Sequence, residues 1–122
     1  MKREITSGSM SWVTMVKFCS VALLALCVIA ALGPANWQPR TALGWEFDHF
    51  LGYFVITSIV CFAWRRPVLV GGALVVFAAL LEGLQSLTPD RSPNLMAVVY
   101  SAGGVLTAAL IAELFIRARR WR

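Results

Sequence analysis

Charge is what this sequence has least of. Charged residues make up 14% of its 122 positions, only six are acidic, and there is a single histidine. Soluble domains carry about 25% charged residues, so this chain lacks the means to cover a water-facing surface. Hydrophobic residues reach 59%, and the mean hydropathy is +0.74. A bilayer removes the need for a polar surface, and composition points to that class.

Other features are also missing. The chain has no glycine-rich phosphate loop, no zinc-type His/Cys cluster, no Ser-His-Asp spacing, no internal repeat and no soluble domain. No catalytic residue, metal site or cofactor is assigned. The three cysteines, Cys19, Cys27 and Cys61, fall inside apolar runs. An odd number there gives no disulfide framework, and they read as small apolar fillers.

What is present is four apolar runs, at 18–32, 50–64, 68–81 and 95–116. Extended by a few tolerable residues, each approaches the roughly 20 needed to cross the hydrocarbon core. The expected helices cover about 12–32, 46–64, 67–87 and 94–119. Gly33-Pro34 stops the first, since proline cannot continue the hydrogen-bond ladder. Pro67 suits the first turn of the third. Residues 1–11 form a mobile cytoplasmic N-terminus, 12–119 the membrane domain, and 120–122 a basic tail. Short turns make helices 2, 3 and 4 antiparallel neighbours. The N-terminus resembles a secretion signal, but its long core without a clean cleavage site favours the uncleaved reading.

The cations set an orientation. Of the eleven Lys and Arg, nine fall before helix 1, just inside its start, between helices 2 and 3, or after helix 4. Only Arg40 and Arg91 lie in the other two loops. This positive-inside pattern places both termini in the cytoplasm. It also gives the basic tail a role in topology and anionic-lipid contact, and no basic domain supports nucleic-acid binding.

Against this background the polar residues stand out. Ionisable groups at membrane depth are rare and costly, hence candidates for function. Asp48 and His49 open helix 2. His49, Tyr53, Thr57 and Cys61 then recur every four residues, on one face. Phe50, Phe54, Ile59 and Phe62 are left to face lipid. Glu82 and Gln85 share a face near the end of helix 3. A carboxylate left unpaired there would take up a proton, so a partner is expected, with His49 or Arg91 at the right depth. Such a pair reads either as a structural tie or as part of an outward polar pocket. Arg91 reads as a loop charge or as a guanidinium aimed at an anionic headgroup. On helix 4, Ala97, Ser101, Gly104, Ala108 and Ala112 form a stripe of small residues for close helix packing. Glu113 has Arg117 at i+4 as its partner.

In this order, the polar motifs resemble those of the VanZ-like family of small membrane proteins. The family's His-Phe-x-x-Tyr block corresponds to His49-Phe50-Leu51-Gly52-Tyr53, and its Glu-x-x-Gln to Glu82-Gly83-Leu84-Gln85. Its Arg-x-Pro loop corresponds to Arg91-Ser92-Pro93. Where its last helix usually carries Asp, Asn and Gly, this chain has Ala97, Ser101 and Gly104. A lysine often found three positions before the histidine is Glu46 here. The resemblance covers about residues 40–112.

The resemblance implies an all-α bundle in the bacterial inner membrane and a link to teicoplanin-type glycopeptide susceptibility. Membrane lipids and lipid-linked glycan precursors are the expected partners. Asp48, His49, Tyr53, Glu82, Gln85 and Arg91 are the expected binding residues. Two alternatives stay open: an enzyme using His49 and Glu82 as an acid/base pair on a lipid-linked substrate, and a structural subunit that packs against a membrane complex through the Gly104-Ala108-Ala112 stripe.

Overall fold

The structure, a computed structural model, describes residues 11–33, 42–87 and 94–120. It is all-helical across its four long elements: α1 (Trp12–Leu32), α2 (Trp45–Ala63), α3 (Pro67–Leu84) and α4 (Leu95–Arg120), with a short 3-10 turn at Gln85–Leu87. All four long helices are long and apolar enough to cross a membrane. They mark a multi-pass membrane protein. At about 1.5 Å per residue, α4 is about 39 Å long, more than a bilayer core of about 30 Å. Its last turn, with Arg117, Arg119 and Arg120, therefore has length to spare for the interface.

Local chemistry sets the helix ends. The Ser11 hydroxyl accepts the Thr14 N–H at 3.3 Å, capping α1. Gly33 donates its N–H to the Ile29 carbonyl at 2.8 Å, closing the last turn. Gly44 precedes α2 with φ +108°, a conformation that L side chains rarely adopt. Glu46 and Asp48 in the first turn of α2 suit the positive end of its dipole. Pro67 opens α3 at a position where its missing N–H costs nothing.

The packing departs from chain order. The most extensive interface joins α2 to α4, the next joins α3 to α4, and α2 and α3 meet only slightly. Small residues explain this. A Cβ built on Gly104 would lie 2.2 Å from the Phe50 carbonyl oxygen and 3.1 Å from the Phe54 nitrogen. The backbones of α2 and α4 therefore touch where only glycine fits. A Cβ on Gly71 would meet that of Ala109 at 3.1 Å, so α3 also comes close to α4. Ala97, Ser101, Gly104, Val105, Ala108 and Ala109 are all buried, and Ala112 packs at the edge of the core. That core consists of Val60, Cys61, Val70, Leu74 and Val105. By contrast, α1 buries only Ser20 and Ala31.

The aromatic residues of α2 differ from the expectation that they face lipid. The Phe50 ring lies over Gly103, with a built Cβ 3.5 Å from it, and stacks on Phe54 at 6.3 Å. Both rings are half-buried, and only Phe62 of the four expected positions is largely exposed. The open surface over Gly103 draws the Phe50 ring onto α4.

Candidate functional site

The face of α2 that carries polar groups points inward. Thr57 is fully buried, Cys61 is 5% exposed, and Tyr53 and His49 are half-buried. The Tyr53 hydroxyl and the Cys27 thiol of α1 are within hydrogen-bonding reach. The pair brings α1 against the polar face of α2. Tyr53 also feels the Glu82 carboxylate electrostatically. Thr57 is different. Its hydroxyl is buried without a hydrogen-bond partner among the described residues.

Glu82 finds a backbone partner, and among the described residues it is not His49. Its Oε1 accepts the backbone N–H of Asn94 at 2.6 Å. Asn94 is the residue before α4, and its own Oδ1 accepts the Met96 N–H at 2.9 Å. The two bonds together form a split capping box. In the usual box, a Glu or Gln three positions into the helix bonds back to the N-cap N–H. Ala97 occupies that position here, and Glu82 supplies the carboxylate from the preceding helix. The bond is charge-assisted and ties the end of α3 to the start of α4.

His49 turns back on its own helix. Its Nδ1 lies 2.9 Å from the Trp45 carbonyl oxygen. Because a carbonyl only accepts, that nitrogen carries the proton. No ion pair joins His49 to Glu82 among the described residues. The Trp45 ring stands edge-on to both His49 and Tyr100, each at 5.8 Å, which fixes the start of α2 against the first turns of α4.

Gln85 sits in the 3-10 turn, 8% exposed, with its backbone N–H directed at the Gly83 and Leu81 carbonyls. Asp48 lies in the first turn of α2. Arg91, the remaining expected binding residue, lies outside the described residues, as do Arg40 and residues 1–10. At the other end, the expected Glu113–Arg117 pair forms at 2.8 Å.

Two further groupings were not evident from the sequence. One is a cleft of about 340 Å³ between the start of α3 and the end of α4, lined by Arg65, Arg66, Glu113 and Arg120. The other is an apolar groove between α1 and α2, lined by Trp12, Cys19 and Phe62. Both join residues from separate helices, and nothing in the spacing along one helix announces them. Among the described residues, no three His, Cys, Asp or Glu side chains are grouped as a metal site would need. No family model, curated protein or solved structure matches this chain.

Proposed function

We propose that this chain is a VanZ-like protein of the bacterial inner membrane, with an outward polar end that binds a lipid headgroup or lipid-linked glycan. The observation that carries this reading is that Glu82 bonds the start of α4, with a buried Gln85 three residues on, while Trp45 stands between His49 of α2 and Tyr100 in the first turns of α4. Polar side chains drawn from α2 and α3 to one end of a membrane bundle, rather than turned out to solvent, suit recognition of a polar ligand. Binding there would alter envelope composition and so glycopeptide susceptibility of the teicoplanin type.

An up-and-down antiparallel course with both termini cytoplasmic fits this reading. The Trp12 ring of α1 packs tilted against that of Phe62 near the end of α2, with centroids 5.1 Å apart. Glu82 joins the end of α3 to the start of α4. With Arg65, Arg66, Arg117, Arg119 and Arg120 facing the cytoplasm, the Glu82 end faces outward. The two family positions that lack their usual polar residues, Ala97 and Ser101, lie on the buried face of α4. There Glu82 takes over the capping that an acidic residue at position 97 would supply.

Binding is better supported than catalysis, because the Glu82 carboxylate is held by the Asn94 backbone N–H. The subunit alternative is less favoured, since α2 of the same chain covers Gly104. The test is susceptibility in a bacterial host at matched membrane levels. His49→Ala and Glu82→Gln should each remove the effect of the wild type while leaving its abundance unchanged. Loss of the protein itself in both variants would assign these residues to folding.

A further inference from the structure

A second charged feature lies at the opposite end of the bundle. The cleft between the start of α3 and the end of α4 brings together three guanidinium groups, from Arg65, Arg66 and Arg120, and one carboxylate, Glu113. That carboxylate is already taken, since Arg117 Nε bonds its Oε1 at 2.8 Å. None of the three arginines has an ion pair among the described residues. Three like charges around one cleft of about 340 Å³ repel each other unless an anion joins them. The rest of the lining is apolar: Pro67 is buried and Ile116 half-buried, while Val68 is 78% exposed and Leu69 65%.

The depth of the cleft also bears on its ligand. Trp64 immediately precedes Arg65, and Lys17 of α1 lies over its ring at 5.7 Å. Tryptophan and lysine together mark the headgroup level of a bilayer. A free anion would use the guanidinium groups and leave the exposed Val68 and Leu69 surface unsatisfied. A phospholipid uses both, with its phosphate among the arginines and its glycerol and upper acyl chains along the apolar wall. Arginine matches phosphate oxygens in a bidentate fork.

We infer that Arg65, Arg66 and Arg120 form a site for the phosphate headgroup of one anionic lipid, separate from the polar end at Glu82. This inference rests on the membrane-spanning helices and not on the headgroup or glycan binding proposed for the other end.

The test is native mass spectrometry of the full chain released from bilayers of equal phosphatidylglycerol and phosphatidylcholine. The wild type should retain one phosphatidylglycerol in clear preference to phosphatidylcholine. At about 1 kcal/mol per cation, replacing all three arginines with glutamine should cut that preference by at least tenfold. Arg119→Gln, which removes a neighbouring cation that does not line the cleft, should lower it by no more than about fivefold, the value of one such cation. Because Arg65 and Arg66 also help to set topology, a second variant leaves every charge in place: Ile116→Trp fills the cleft and should remove the preference.

Three results would overturn the site. The first is equal retention of the two lipids by the wild type. The second is an unchanged preference in Ile116→Trp. The third is an equal loss in Arg119→Gln and the triple variant, which would make the attraction diffuse. Displacement of the lipid by millimolar inorganic phosphate would assign the cleft to a soluble anion instead.

Discussion

Glu82 and Asn94 are joined by a 2.6 Å bond from the backbone N–H of one to the carboxylate of the other. The bond spans twelve positions and makes the end of α3 part of the cap of α4. An ionisable residue near the end of a membrane helix thus has a structural task that does not depend on any ligand. The task and the proposed binding role separate by substitution, because an amide oxygen still accepts a hydrogen bond but carries no charge.

Glu82→Ala should destabilise the bundle by about 1–3 kcal/mol, the range for losing a hydrogen bond to a charged group. Glu82→Gln should cost less than about 1 kcal/mol. Unfolding by sodium dodecyl sulfate in mixed micelles, followed by circular dichroism, reads both. Equal losses would mean that the charge itself, rather than the cap, holds α3 to α4.

Gly104→Ala should be among the most damaging single-methyl additions in the chain. The new Cβ would lie 2.2 Å from the Phe50 carbonyl oxygen, which is backbone and has no rotamer to escape into. Forcing α2 off α4 should cost about 3 kcal/mol, the upper end for overpacking. Gly72→Ala, with nothing within 4 Å of its Cβ, should stay within about 1 kcal/mol of the wild type, on the stabilising side. The same micelle titration compares them, and similar midpoints would contradict the close contact of α2 and α4.

Thr57→Val should leave the fold as stable as the wild type or up to about 1 kcal/mol more stable. The buried Thr57 hydroxyl has no hydrogen-bond partner among the described residues, and removing an unsatisfied polar group while keeping its shape relieves a desolvation cost. A loss above about 1 kcal/mol in thermal unfolding would reveal a partner for that hydroxyl.

Tyr53→Phe should loosen α1. The Cys27 thiol would lose the hydroxyl within its reach, and interhelical bonds of this kind are worth about 0.6 kcal/mol. In a chain with Cys19 and Cys61 replaced by alanine, Cys27 should react about two- to threefold faster with a small maleimide once Tyr53 is Phe. An unchanged rate would mean that the pair does not hold α1.

Much of the fold is legible in the sequence because the signals are local. Run length together with Gly33, Pro67 and Asn94 delimits the helices, and Trp12–Leu32 is recovered at both ends. The four-residue spacing of Tyr53, Thr57 and Cys61 gives the inward face of α2. The small-residue stripe marks the buried face of α4, with Gly104 at its tightest contact. Helix pairing was not legible, since helices that are apolar nearly all round carry no periodic mark of which neighbour each prefers. Chain order suggests α2 beside α3, whereas Gly104 brings α2 against α4. The partner of Glu82 was hidden for a related reason: a backbone N–H has no residue letter, so a search among side chains turns to His49 instead. The same limit hid the cleft at Arg65, Arg66 and Arg120, whose lining depends on how α3 meets α4.

The central claim is that the end holding His49, Tyr53, Glu82 and Gln85 recognises a polar lipid. A photoreactive phenylalanine analogue in place of the exposed Leu87, two residues after Gln85, activated in native membranes, tests it most directly. The account predicts adducts enriched in one headgroup or glycan-bearing lipid relative to the surrounding bilayer, with that enrichment lost when Glu82→Gln is added. Adducts that follow bulk lipid composition, and that are indifferent to Glu82→Gln, would contradict it.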